Sequence, residues 1–227
     1  MPRPSGRRKE ILDTFIRHVA ERGYHATNFG DIASELEMSQ GTIVYHFGSK
    51  AQLLRELEEN CTARHIAHFE EMRTRLTRAD ERVAAVVYFA ALLFTTDRDL
   101  TVASQREVAQ LAFGPDFQKV RDSRRELVRM TEEFIRQGTE DGIFRPVNVE
   151  LAAIQLWSSL QLMWVWFDPN GQLTAQQVGA AFVDTILGGL LADRYDLVRL
   201  TDPEGHVATV TRDVLIGLYE DTHAAAS

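Results

Sequence analysis

Apolar residues along the chain recur at helical spacing, and no alternating strand pattern of useful length interrupts them. Ile11, Phe15 and Val19 stand four apart, with Leu12 and Ile16 beside them, so residues 6–22 form a helix with one broad apolar face. Gly23 can take the left-handed position just past its end. Thr27 and Asn28 are cap types for a short second helix that turns Ile32, Ala33 and Leu36 inward. Ser39 caps a third helix over residues 40–47, where Ile43 and Phe47 share a face at i, i+4. Gly48 and Ser49 end it and open a fourth helix at Lys50, which carries Leu53, Leu54 and Leu57 and runs to about residue 77.

Beyond that the punctuation divides the chain. Helices are expected over residues 80–95, 100–113 and 116–141, with stops at Gly114-Pro115 and Gly142. Two more are expected over 149–167 and 175–194, the latter capped by Thr174, and a last one over 207–219. The fold class is all-α. Residues 151–167 are uncharged but broken by Gln155, Ser158, Ser159 and Gln161, and 182–192 is broken by Asp184. Both fall short of the ~20 apolar residues a spanning helix needs, so they are expected to be buried or interface helices, with no membrane role.

Composition narrows the class without choosing a function. The 227 residues are 44% hydrophobic and 26% charged, an ordinary globular balance. The single cysteine, Cys61, allows no intrachain disulfide, and residues 1–9 hold no apolar signal segment, so a cytoplasmic protein is expected. The net charge of −8 is unevenly spread: residues 1–55 carry eight Lys or Arg against six Asp or Glu, a head of +2 on a body of −10. A mildly basic head on an acidic body suits a head that meets phosphate.

Two short helices joined by a turn, the second capped and about two turns long, read as a helix-turn-helix. In that motif the second helix enters the major groove. Because Ile43 and Phe47 must face the small core, Gln40, Gly41, Thr42, Val44, Tyr45 and His46 face outward. Glutamine can pair with adenine, threonine can reach a base edge, and Tyr45 and His46 can donate to phosphate. Gly41 permits close approach, and Lys50 puts a positive charge beside the free N–H groups of a helix start, an anion site. Arg3, Arg7, Arg8 and Lys9 read either as a basic arm that tracks phosphate or enters a minor groove, or equally as a disordered, solvated start.

The segment GYHATNFGDIASELEMSQGTIVYHFGSKAQLL, residues 23–54, closely resembles the signature of the tetracycline-repressor (TetR) family. The matching pieces are Gly23-Tyr24, Thr27, Asp31-Ile32-Ala33, Ser39, Gly41-Thr42-Ile43, Tyr45-His46-Phe47 and Ser49-Lys50. The resemblance implies a dimeric, all-helical regulator that binds a small ligand in its C-terminal domain and then releases DNA. It therefore implies a three-helix helix-turn-helix DNA-binding domain over residues 1–50, joined to a larger helical ligand-binding and dimerisation domain over 51–227. Thr27, Asn28 and Ser39 join the outward residues and Lys50 as candidate DNA contacts. Three positions depart from the pattern: Glu37 where the turn usually has glycine, Val44 where tyrosine is common, and Asn28 where threonine is common. A left-handed Glu37 is strained.

The later helices crowd aromatic and methionine side chains, and a cavity between bundle helices is a common ligand site. His65, Phe89, Phe94, Phe113, Phe117, Trp157, Met163 and Trp164 are candidates to line it, and the family resemblance implies a small, mostly apolar effector there. Ordinary core packing explains aromatics at helical spacing as well. Ala181, Thr185, Gly188, Gly189 and Ala192 fall on one helical face, and such small residues let two helices approach closely, as in a homodimer. No cofactor, metal or catalytic group is expected: His65 and His68 lie at i, i+3 without further ligands in view, and no nucleophile elbow or phosphate loop is present. A helical hydrolase or carrier, and a dimeric scaffold with a degenerate head, remain as alternative readings.

Overall fold

The leucine, isoleucine and phenylalanine spacing of the first fifty residues produces the helices it predicts. In a computed structural model that describes residues 4–107 and 117–224, α1 is Pro4–Arg22, α2 Phe29–Glu35, α3 Gln40–Phe47 and α4 Lys50–Arg75. There follow α5 Ala79–Thr96, α6 Arg98–Arg106, α7 Gln118–Glu140, α8 Val149–Leu160, α9 Met163–Trp166, α10 Ala175–Leu190, α11 Leu197–Leu200 and α12 His206–Ala224. The described residues group into two units. The first takes residues up to 63 and 98–124, the second residues 64–97 and 125–227.

In the first unit the predicted apolar faces meet. Ile11, Phe15 and Val19 of α1, Ile32 and Ala33 of α2, Ile43 and Phe47 of α3, and Leu53, Leu54 and Leu57 of α4 are all buried. Asn28, Ser39 and Ser49 cap the following helices by accepting from Asp31 N, Thr42 N and Gln52 N. The turn after α2 closes as a Schellman motif, with Met38 N on Ala33 O at 2.9 Å and Glu37 N on Ser34 O at 3.4 Å. That motif needs a left-handed residue, and Glu37 sits at φ 50 to supply it. The strain expected of this glutamate is therefore present, held by the two backbone bonds around it.

Polar bonds tie the same unit together. His18, buried on α1, meets Glu35 through Nε2 at 2.8 Å. Arg22 approaches its Nδ1 at 2.9 Å. Arginine only donates, so Nδ1 accepts and the ring proton lies on Nε2, directed at Glu35. The packing of α6 on α1 brings Arg106 to Ala20 O at 2.9 Å, and Glu107 accepts from Tyr24 N at 2.9 Å. Sequence reasoning attached neither residue to the head.

The second unit is organised by α5, whose residues Val83–Phe94 are buried on every side. It packs against α8, α10 and α12. At the crossing with α10, Gly179 lets the backbone come against the Tyr88 ring: a Cβ there would lie 2.7 Å from Tyr88 Cδ1. Tyr88 then donates to Leu200 O at 2.9 Å, which fixes the chain between α11 and α12. Buried Asp80 receives Arg78 and Arg199 nearby.

Three expectations are corrected. The helix foreseen over 149–167 breaks at Gln161-Leu162, and α9 resumes for a single turn. The helix foreseen to residue 194 stops at Leu190, because Leu191 turns extended and pairs with Phe144, and Ala192 N bonds Ile143 O. Arg7, Arg8 and Lys9, read as part of a basic arm, lie in the first turns of α1, which begins two residues earlier than foreseen at Pro4, while Arg3 lies outside the described residues. No helix among the described residues is long and apolar enough to cross a membrane.

Placing a methyl group at Gly179 forces α5 and α10 apart. Gly179→Ala is expected to lose ~1–3 kcal/mol, the range for overpacking, lowering the melting temperature by several degrees in a thermal scan. An unchanged midpoint would contradict the close crossing.

Candidate nucleic-acid interface and effector site

The third helix presents one buried and one bare side, as its sequence requires. Ile43 and Phe47 are buried, while Val44 is 47% and Tyr45 86% exposed. Gln40 and Gly41 are exposed and Thr42 and His46 half-buried. Tyr45 and His46 stand edge to face at 5.4 Å. Ser39 Oγ, besides capping the helix, lies 3.0 Å from Thr42 Oγ1, and Asn28 is exposed at the start of α2. Gln40 extends toward that start, where its Nε2 lies 3.1 Å from the position a Cβ on Gly30 would take.

Two candidates occupy different places from those foreseen. Thr27 is fully buried and its hydroxyl donates to Gly23 O at 2.9 Å, so it locks the loop between α1 and α2 instead of facing outward. The Lys50 ammonium, foreseen as a phosphate site, donates to Tyr24 O and Thr27 O at 2.8 Å and to His25 O at 3.5 Å. It also lies 4.4 Å above the Tyr24 ring. Burial pulls this ammonium below the ordinary lysine range, opposed by the Glu107 carboxylate. Its three donors are thus directed at carbonyls of residues 24–27, and it staples α4 to the α1–α2 loop.

Arg8 also acts inward. It donates to His46 O at 2.5 Å, pairs with Glu56, and lies 4.2 Å above the Phe47 ring. His46 O is one of the end carbonyls a helix leaves without a partner. The arginine foreseen in a phosphate-tracking arm therefore caps and braces the C-terminal end of α3.

The effector candidates divide. In the second unit His65, Phe89 and Trp157 come together around Phe69. Ring centroids lie at 5.0 Å for His65–Phe89, 5.2 Å for Phe69–Phe89 and 6.1 Å for Phe69–Trp157. Trp157 Nε1 donates to the buried Thr131 hydroxyl at 3.2 Å. Met163 is buried and Trp164 half-buried, and Phe94 meets Phe167 at 6.1 Å. Phe117 belongs to the first unit, and Phe113 lies outside the described residues. Thr131 went unnoticed in the sequence because one threonine on a polar helix carries no periodic signal. No group of three His, Cys, Asp or Glu among the described residues is placed to hold a metal.

On the proposed dimer face Ala181, Thr185 and Gly189 are exposed on α10, with nothing within 4 Å of a Cβ built at Gly189. Gly188 is half-covered by Arg194, and Ala192 leaves the row because the helix has already ended. Leu151, Ile154, Leu162, Val165 and Trp166 are exposed on or beside α8 and α9.

Removing the staple should act on folding before it acts on DNA. Lys50→Ala leaves carbonyls of residues 24–27 without their donor, a loss of ~1–3 kcal/mol that calorimetry would read as a lower melting temperature. A phosphate contact alone predicts an unchanged midpoint and only a shallower salt dependence.

His68 offers a pH test of the second unit. Its Nδ1 donates to Arg64 O at 2.6 Å, and burial holds its pKa below the ordinary 6.5, opposed by that bond. A depressed value means the folded form resists protonation. The stability it confers is complete above ~6.5 and is lost as pH falls through the folded value. Melting temperature should drop between pH 7 and pH 5, and His68→Asn should flatten that drop; an equal slope in the variant would exclude His68 as its source.

Comparison with known proteins places these features. Residues 11–57 match the family model for bacterial regulatory proteins of the tetR family, and residues 76–190 match that for the tetracyclin repressor-like C-terminal domain. The HTH-type transcriptional repressor KstR2 of Mycobacterium tuberculosis (strain ATCC 25618 / H37Rv) is 29% identical over 187 residues, covering 82% of this chain and 94% of that protein. The solved structure of ketosteroid transcriptional regulator KstR2 of Mycobacterium tuberculosis is similar with a TM-score of 0.75 at 29% identity, over 82% of this chain and 96% of that one. AibR, solved in complex with isovaleryl coenzyme A and operator DNA, is similar with a TM-score of 0.70 at 26% identity, over 79% of this chain and 97% of that one. The chain belongs to the tetracycline repressor (TetR) family and is a helix-turn-helix DNA-binding transcriptional regulator.

Proposed function

We propose that two copies of this chain repress a promoter by binding a palindromic operator, and release it when a small effector with an apolar body binds in the helical region after residue 50. The observation that carries the reading is the bare side of α3. Its buried side is satisfied by Ile43 and Phe47, yet Val44 and Tyr45 stand exposed away from that core. Gln40, Gly41, Thr42, Val44, Tyr45 and His46 would meet the major groove, with Asn28 and Ser39 at its rim. Residues 1–50 form the DNA-binding domain in this reading and residues 51–227 the ligand and dimer domain. The protein works in the cytoplasm and performs regulation without catalysis.

Dimerisation is supported by the exposed apolar residues of α8 and α9 beside Ala181, Thr185 and Gly189. A glycine within a helix costs ~1 kcal/mol relative to alanine, and no neighbour among the described residues requires one at Gly189. A two-fold dimer sets its recognition helices on half-sites about 34–36 Å apart, or a multiple of that. Gly188 and Ala192, named with this row in the sequence, contribute less to it.

The effector reading rests on the aromatic group of His65, Phe69, Phe89 and Trp157, and on AibR, whose structure holds isovaleryl coenzyme A. An acyl thioester of coenzyme A is therefore the class to test first. Ligand and operator oppose each other by linkage, so each must weaken the other by one factor.

DNA fragments selected from the source genome by the purified protein should contain a palindrome bound by two chains. On that operator Gln40→Ala is expected to lose ~1–3 kcal/mol, measured by fluorescence anisotropy, with random DNA affected less. Equal losses on operator and random DNA would defeat the base-reading role.

A further inference from the structure

In the first unit, a junction of α4, α6 and the start of α7 leaves two buried polar atoms without partners among the described residues. Glu58 on α4 is 0% exposed. Its Oε2 accepts from Arg124 Nη2 at 2.7 Å and Nε at 3.3 Å. Its Oε1 has no hydrogen-bond partner among the described residues. Arg55, three residues earlier on the same helix, donates from Nη1 to Gln52 Oε1 at 2.7 Å, and its buried Nε is also without a partner. Residues at i, i+3 share a helix face, so a bare acceptor and a bare donor belong to neighbouring positions one turn apart on α4. Nearby Thr62 cannot serve Oε1, because its hydroxyl already donates to Glu58 O at 2.8 Å. Orphaned buried polar atoms are uncommon in native proteins, and two within one turn call for an explanation.

The charges define what would satisfy them. Arg124 already neutralises Glu58, and Arg55 adds a further positive charge on the same turn, which disfavours a cation. An anion would meet the bare Glu58 oxygen. The complementary group is neutral and carries both an N–H or O–H donor and an acceptor oxygen. We infer that this junction is a polar binding subsite for a hydroxyl or secondary amide, of the kind strung along the pantetheine arm of an acyl thioester. The inference deepens the effector reading above and rests on it for the ligand's identity.

The subsite is also wired to the DNA head. Arg124 Nη2, besides holding Glu58, donates to Ser104 Oγ at 2.7 Å and reaches Ser104 O at 3.4 Å. Two residues beyond Ser104, Arg106 holds the end of α1 through Ala20 O. A ligand that engages Glu58 is two hydrogen bonds, through Arg124, from Ser104 on α6, and α6 grips the helix that carries His18 and Arg22.

Calorimetric titration of the full-length protein with D-pantetheine tests the subsite directly. Saturable binding is expected, weakened at least tenfold in Arg55→Met and in Glu58→Gln. Arg55→Met removes a buried Nε–H without a partner together with a part-buried bond to Gln52, two changes of opposite sign, so its melting temperature should stay near that of the wild type, which separates lost binding from lost folding. If Glu58→Gln does not fold, Arg55→Met decides alone. No saturable heat with the wild type, as when water alone fills the site, or undiminished binding in Arg55→Met, overturns the inference. Operator release by isovaleryl coenzyme A, read by anisotropy, keeps the two readings apart. Pantetheine binding that needs Arg55, without operator release, sinks the effector reading and leaves the subsite. Operator release without pantetheine binding does the reverse.

Discussion

An eight-residue helix with only two buried side chains cannot hold its own orientation, and the helix proposed to read DNA is of this kind. Everything around α3 answers that constraint. Ser39 satisfies its first turn and Gly48 closes its last. Arg8 takes the His46 carbonyl and covers Phe47, which fixes the end nearest the exposed Tyr45. Lys50 fastens the loop before α2 to the helix that follows α3, so the two helices of the motif are closed into a ring of contacts. Preorganisation of this kind matters because a reading helix that wobbles forfeits the directional bonds that separate one base from another.

How much was legible in the sequence follows from which forces are periodic. Ile11, Phe15, Val19, Ile43 and Phe47 announce their burial by spacing, and the first four helices emerged with nearly their expected bounds. Caps were legible for the same reason: Asn28, Ser39 and Thr174 are short-range chemistry, read within three residues. Long-range polar bonds leave no such trace. Lys50 and Thr27 were assigned outward because their residue types suit a phosphate or a cap, whereas the fold turns both inward against carbonyls some 4 to 26 residues away. Glu58 and Arg124, 66 residues apart, could not be joined from the sequence.

The same distinction explains the later helices. The break at Gln161-Leu162 has no proline or glycine to mark it, and the stop at Leu190 is imposed by a backbone pairing with residues 143–145. Hydrophobic periodicity sees neither. It does see that α5 is apolar all round, and such a helix can only be central; the glycine that admits it, Gly179, reads as a small-residue position without revealing that its partner is a tyrosine ring.

The pairing of the head's arginines bears on how the protein finds its site. Arg7, Arg8, Arg17 and Arg22 each pair with a carboxylate of the same unit, and Lys50 is turned onto carbonyls. Binding to random duplex draws its strength from cations that displace condensed counterions. Partly exposed ion pairs are worth only ~0–1 kcal/mol, so an approaching phosphate can take these arginines from their carboxylates, and each such contact exchanges one anionic partner for another.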